Sequence, residues 1–286
     1  MERIKILVCC HKECQIPRNQ IFLPIQVGKK LSCIDLKIQS DSDVNDVECD
    51  NISALNGIYC EMTAMYWAWK NVNTIFPSLD YIGLCHYRRY FRSKKNYNSL
   101  DILISRIKSS VKTLFGLKQP MELFDQHELI NDVNSELINR DVEKLKAIIL
   151  DSDIVCTQPI IYVNNSVKQC FEVIGREYIS ILEEIIKNNY EDYYHTLQCV
   201  LQGKSLVSAN MIIIKMEYLD EYCSFIFGAL NEHLNYLLNN KYIYDINEKV
   251  FSRVLGYLAE ILTATYVLRK KEQGFKVKSV GKYFLE

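Results

Sequence analysis

An α/β architecture, a mostly parallel sheet flanked by helices with a helical insertion, is what this sequence predicts, on three observations. Apolar runs of strand length alternate with helical stretches along the chain, as a parallel sheet requires. The first run, Ile4 to Cys10, is nearly continuous rather than alternating, the pattern of a strand covered on both faces. The run opened by Asp80 ends in His86, Arg88 and Arg89, which puts an imidazole and two fixed cations at the carboxyl end of a central strand. Open α/β sheets bind their ligands there.

The elements follow in order. After Cys10 the polar HKECQIPRNQ reads as a loop, so strand one delivers His11 and Lys12 at its end. Residues 41 to 50 are acidic and turn-rich, a surface loop entering the first strong helix. That helix is expected from Ser53 to Lys70, with Leu55, Ile58, Met62, Tyr66 and Trp69 on one apolar stripe. Asn56, Cys60, Thr63, Trp67 and Lys70 form a second line, and Trp67 and Trp69 are read as core. Strand two runs from Tyr81 into CHYRRYF. Residues 92 to 118 are basic with little periodicity, and 121 to 150 read as one or two helices, together a helical layer inserted at 93–150 between a part at 1–92 and a part at 151–286. A strand returns at Asp153 and stops at Pro159, and a helical stretch covers 166 to 189. The strand LVSANMIIIK spans 206 to 215, a helix with aromatic anchors spans 218 to 238, and a last helix starts near Val250. The basic stretch from Arg269 to Tyr283 reads as a solvated tail, whose lysines 270, 271, 276, 278 and 282 could alternatively meet anionic lipid.

Composition excludes several classes. With 286 residues, 49% hydrophobic and 24% charged, the chain is an ordinary globular one with length for a real core. A net charge of −1 supplies no field for nucleic acid. The eleven cysteines are odd in number and lie mostly in apolar runs, so they read as reduced core residues, and no pair has zinc spacing. The amino terminus lacks a signal-peptide pattern and no run suits a spanning helix, which leads to the expectation of a cytosolic protein. No GxGxxG, P-loop, GxSxG or HExxH motif is present. What remains is His86 with Arg88, Arg89 and Arg92, next to a helix start carrying Asn51, Ser53 and Asn56, more polar groups than one cap needs. Arginine forks and helix amino termini both suit a diphosphate.

The runs NIS..N..YCE.TA.YWAWKN, DYIGLCHYRRYF, ANMIIIK and RVLGYLAEIL carry a resemblance. Over almost its whole length the chain resembles a bacterial family from capsule and exopolysaccharide gene clusters, long labelled a domain of unknown function and regarded as glycosyltransferases. The resemblance implies a GT-A-like nucleotide-sugar-binding sheet, a donor such as UDP-galactofuranose or UDP-galactose, and a lipid-linked oligosaccharide or glycan acceptor at the inner face of the membrane. It also adds Glu61 and Thr63 to the candidate site. Most GT-A enzymes hold a divalent metal with an Asp-x-Asp, but here the strand end reads CHYRRYF, and two guanidinium groups repel a cation. The expectation is therefore transfer without a cofactor or metal, Arg88 and Arg89 neutralising the leaving diphosphate. Asp151 and Asp153 form the alternative metal pair, read first as strand-end polar residues. Transfer with inversion needs a general base, and Glu260 is the candidate, on one helix face with Arg253 and Tyr257, with an internal Arg253–Glu260 ion pair as its plainer reading; the sequence does not give the stereochemistry. His86 is the second candidate catalytic residue. A non-catalytic nucleotide-sugar-binding protein, or a scaffold of a polysaccharide assembly complex, are the rival readings.

Overall fold

A computed structural model describes residues 3–114, 123–240 and 252–286. In chain order its elements are β1 (Ile4–Cys10), β2 (Phe22–Gln26), β3 (Gln39–Ser40), β4 (Asp43–Val44), β5 (Val47–Glu48), α1 (Asn56–Tyr59), α2 (Met62–Ile75), β6 (Tyr81–His86), β7 (Arg89–Arg92) and α3 (Ser99–Leu114). Then come β8 (Leu123–Phe124), β9 (Glu128–Ile130), α4 (Glu136–Leu150), β10 (Ile154–Thr157), β11 (Ile160–Tyr162), α5 (Val167–Phe171), α6 (Arg176–Asn189) and α7 (Glu191–Gln202). The chain closes with β12 (Ser205–Leu206), β13 (Ile212–Lys215), α8 (Met216–Asn239), α9 (Val254–Glu272) and β14 (Val277–Leu285).

One sheet organises the molecule. β1 lies between β2 and β6, parallel to both, and β3 extends the β2 edge in parallel. On the other side β6 pairs antiparallel with β13, β13 antiparallel with β10, and β10 parallel with the first half of β14. The second half of β14 sits between antiparallel β7 and parallel β9. Reversed strands thus interrupt the mostly parallel sheet at β13 and β7, where β7 folds back from β6 through the His86–Arg89 pair.

Side chains of β1 explain why its apolar run does not alternate. Leu7 and Cys9 enter a core built with α2 and α5 to α9, while Ile6, Val8 and Cys10 face a second core closed by α4. Successive residues of a strand point to opposite faces, and both faces are covered here. All eleven cysteines are free thiols.

The structure corrects several sequence expectations. The helix expected from Ser53 to Lys70 is broken: a 3₁₀ turn and the short α1 end at Cys60, whose φ of 52° is left-handed, and α2 begins only at Met62. The cause is partly local and partly tertiary. Asn56 Nδ2 donates to the Cys60 carbonyl oxygen at 2.7 Å and to Thr63 Oγ1 at 3.1 Å, and Gly256 of α9 approaches so closely that a Cβ there would lie 2.8 Å from Cys60 Sγ. Trp67 is buried with its Nε1 donating to the Asp43 carbonyl oxygen, whereas Trp69 is half-buried and bonded to Asp220.

The inserted segment is not purely helical, since β8 and β9 precede α4. The expected limits at Lys118 and Met121, and the helix start near Val250, lie outside the described residues. The strand expected over 206 to 215 splits into β12 and β13, with Ala209 and Asn210 both at positive φ between them. Helix α7 had no counterpart in the sequence reading.

The largest correction concerns the basic tail, which is the end of α9 followed by strand β14 inside the sheet. Lys282 is buried and its Nζ lies 2.6 Å from Asp125 Oδ1. Lys270 is buried against Glu221, and Lys276 and Lys278 pair with Asp151. Opposite charges across the fold let a lysine-rich segment pack as a strand, so these four lysines are not a solvated tail free to meet lipid.

Candidate active site

A cleft of about 780 Å³ opens at the carboxyl ends of β1 and β6. Strand β1 delivers Cys9 and His11 to it, and the broken helix delivers Asn56, Cys60 and Glu61. The β6–β7 turn brings His86, Arg88 and Arg89, the start of α9 brings Tyr257 and Glu260 with Arg253 just before it, and β14 brings Lys282 and Phe284. Segments from both ends of the sequence therefore meet because β14 returns to the middle of the sheet.

Arg88 and Arg89 are exposed and form no ion pair with a described residue. Arg88 Nε donates to the Leu285 carbonyl oxygen at 3.1 Å, and its guanidinium stacks 4.6 Å from the Phe284 ring, with Arg89 at 5.7 Å from the same ring. The aromatic ring fixes two like charges side by side while leaving their N–H forks available.

Glu260 carries the most perturbed carboxyl of the cleft. Burial and the nearby Glu61 push its pKa up to about 7, although the Ala209 N–H, Arg89 and Lys282 oppose the shift. Arg253 is not its ion-pair partner. It adopts left-handed φ of 66° just before α9, donates its N–H to the Gly57 carbonyl oxygen at 2.9 Å, and lays its guanidinium 5.5 Å from the Tyr257 ring. Arg253 thus sits at the N-cap of α9 with its backbone tied to the broken helix, and its side chain shares the cleft with Tyr257 and Glu260.

The turn between β12 and β13 ties the remaining polar groups together. His86 Nε2 lies 2.8 Å from the Ala209 carbonyl oxygen, so that nitrogen carries the hydrogen, and the same residue's N–H reaches Glu260. Asn210 Nδ2 donates to Glu61 Oε1 at 2.8 Å, and its Oδ1 accepts from Thr263 at 3.2 Å. Left-handed φ at two consecutive non-glycine residues costs free energy, about 1–2 kcal/mol each, and the bonds on both sides hold the turn in place. His11 meets Tyr87 edge-on at 5.2 Å, and burial, Lys12, Arg253 and His86 lower its pKa.

Four sequence candidates stand outside this lining. Lys12 is exposed above the Tyr87 ring at 5.6 Å. Asn51 bonds the Cys49 carbonyl oxygen and accepts from the Ser53 N–H, and Ser53 is buried with its Oγ donating to Asp41 at 2.6 Å. Thr63 is buried between Asn56 and the Cys60 carbonyl. These three build the broken helix that presents Glu61. Sequence reasoning missed Asp125, Lys282 and the 209–210 turn, of which only Lys282 had a signal, the alternating Val277, Ser279, Gly281, Tyr283, Leu285 around it.

The residues do not fit a metal cage. Hard cations need several converging oxygens, yet Glu61 is bonded to Asn210, Glu260 to the Ala209 N–H, and Asp125 to Lys282. Among the described residues no three His, Cys, Asp or Glu side chains converge. Asp151 is held by Lys276 and Lys278, and Asp153 by Lys215 at 2.5 Å, so both are structural ion-pair partners.

A family model described as a domain of unknown function, DUF4422, matches residues 5–272. The chain belongs to the DUF4422 family. No curated protein matches it. Among solved structures, the apo structure of WbbM, described as a bifunctional glycosyltransferase, shares this DUF4422 fold with a TM-score of 0.71 and 23% identity. The match covers 100% of this chain and 46% of the WbbM chain, so the described fold corresponds to less than half of WbbM. Among the described residues, no helix is long and apolar enough to cross a membrane.

Proposed function

We propose that this DUF4422 protein is a glycosyltransferase that moves a sugar from a nucleoside-diphosphate donor to a glycan hydroxyl without a bound metal ion. One observation carries the reading: two exposed guanidinium groups share a cleft with a carboxyl whose pKa is raised to about 7. The cations suit a diphosphate leaving group and the carboxyl suits a general base working near neutral pH. A volume of about 780 Å³ falls in the range of small-molecule sites. The fold shared with WbbM supports the same reading.

In this mechanism the nucleoside lies toward Cys9, His11 and Asn56, and Arg88 and Arg89 grip the diphosphate. The bond between the anomeric carbon and the diphosphate oxygen breaks as the acceptor oxygen bonds that carbon. Glu260 takes the acceptor proton, and the nucleoside diphosphate leaves with the electron pair, its developing charge met by the two guanidinium groups. His86 holds the Ala209 turn and, through it, Glu260. UDP-galactofuranose or UDP-galactose as donor, and a lipid-linked glycan of capsular, exo- or O-polysaccharide synthesis as acceptor at the cytoplasmic membrane face, complete the proposal from the sequence resemblance.

A thermal-shift screen of UDP, GDP, CDP and their sugars in chelator tests it. One nucleotide series, expected to be the uridine one, should raise the melting temperature, because a ligand bound to the native state stabilises it by mass action. No shift with any nucleotide, with or without manganese, would remove the reading.

A further inference from the structure

Helix α3 carries an apolar stripe that no other described residue covers. Leu100, Leu103, Ile104 and Ile107 are 60%, 53%, 41% and 54% exposed, and their i, i+3, i+4, i+7 spacing puts them on one face. Ile102 is only half-buried and Asp101, the helix's acidic residue, stands in the first turn. Arg106 and Lys108 flank the stripe on its two sides. Across residues 93–114 the sequence has five basic side chains, Lys94, Lys95, Arg106, Lys108 and Lys112, against Asp101 alone, in a chain whose net charge is −1.

The helix start is fixed rather than loose. Asn98 Oδ1 accepts from the Leu100 N–H at 2.8 Å and the Asp101 N–H at 3.2 Å, while Asp101 Oδ2 accepts from the Asn98 N–H, a reciprocal cap. Just before it, Ser93 donates to Asp141, and the Asn96 N–H donates to Gln158 at 2.5 Å. The excursion leaves from β7, which opens with Arg89, and the chain returns through β8 to Asp125. Arg89 and Asp125 both line the cleft. An exposed apolar face of this extent on a helix with a fixed start calls for a binding partner.

We propose that α3 is an interfacial helix that docks the protein on an anionic lipid bilayer, with its Leu/Ile stripe in the acyl boundary and its basic flanks on the headgroups. The charge decides between occupants. A bilayer with anionic headgroups complements the basic flanks. A second copy placed on the same face by a two-fold axis would instead set like charges against each other. Because both roots of the α3 excursion lie in the cleft wall, docking would bring the cleft to the membrane surface.

Vesicle co-sedimentation of the full chain tests this. Wild type should pellet with phosphatidylcholine vesicles containing phosphatidylglycerol, pellet far less with phosphatidylcholine alone, and be released by salt. Leu103→Asn with Ile107→Asn, and separately Arg106→Glu with Lys108→Glu, should each lower partitioning about tenfold or more. The Leu103→Asn, Ile107→Asn pair should leave the melting temperature unchanged, since both side chains are exposed. In a Leu103→Trp variant, brominated lipid should quench the new fluorescence, a readout that needs neither double variant to fold. Wild type left in the supernatant, equal pelleting of wild type and variants, or no added quenching would each overturn the proposal. So would sedimentation showing a wild-type dimer that the Asn variants dissolve. The readout is independent of nucleotide binding, so the donor reading and this one can fail separately.

Discussion

Glu260→Gln is expected to lower glycosyl transfer about 10²–10⁴-fold while nucleotide affinity stays nearly the same, because the amide keeps the shape but cannot take a proton. For the wild type, kcat/KM should rise with pH through about 7 as Glu260 ionises, and the Gln variant should lack that limb. Stability should move the opposite way. Burial raises the pKa of Glu260 from its ordinary value of 4.5, so between 4.5 and about 7 the folded state keeps a proton that the unfolded chain has released. The associated stability is complete below about 4.5 and is lost as pH rises through about 7. The Gln variant should therefore melt no lower than wild type above pH 7. A non-catalytic binding protein would show the same stability pattern with no transfer to lose. Normal turnover in a folded Gln variant would remove Glu260 as the base.

Arg88→Ala and Arg89→Ala should each weaken binding of the nucleoside diphosphate about 10- to 100-fold, the worth of a charge-assisted hydrogen bond of about 1.5–3 kcal/mol. The double variant should lose measurable binding and transfer together. Melting temperatures should fall little, since both side chains are exposed and, among the described residues, the bond at stake is Arg88 Nε to the Leu285 carbonyl oxygen. Arg→Lys at either position should recover part of the affinity, because an ammonium keeps the charge and loses the two-pronged geometry. Raising salt should weaken the wild type more than the double variant.

How much of this was legible in the sequence depends on how local each cause is. Strand β1 was readable because burial on both faces leaves an uninterrupted apolar run, and β6 because its apolar residues end abruptly in His86 and Arg88. Helix α8 was found nearly to its ends because its aromatic periodicity is strong. The break at Cys60 carries no proline, and its one local signal is the Asn56-Gly57 pair just before it. It is made by Asn56 from four residues before and by Gly256 from almost two hundred residues after.

Strand β14 was hidden for an electrostatic reason. Lys276, Lys278 and Lys282 look solvent-bound in sequence, but their partners Asp151 and Asp125 are distant in the chain. Gly281 makes the same point sterically, since a Cβ there would overlap the Lys94 carbonyl oxygen. Arg88 and Arg89 were named from strand-end position and Glu260 from its helix-face spacing with Arg253 and Tyr257, and the fold brings them to one cleft. Asp125 and the Ala209–Asn210 turn are joined to the cleft only by tertiary contacts, so no short pattern could have named them.

The central claim is that guanidinium groups hold the donor diphosphate in place of a metal ion. Calorimetric titration of wild type with UDP, once in chelator and once in manganese, tests it most directly. The account predicts nearly equal dissociation constants in both buffers and loss of binding in the Arg88→Ala, Arg89→Ala double variant. Binding that disappears in chelator, returns with manganese and survives in the double variant would contradict it.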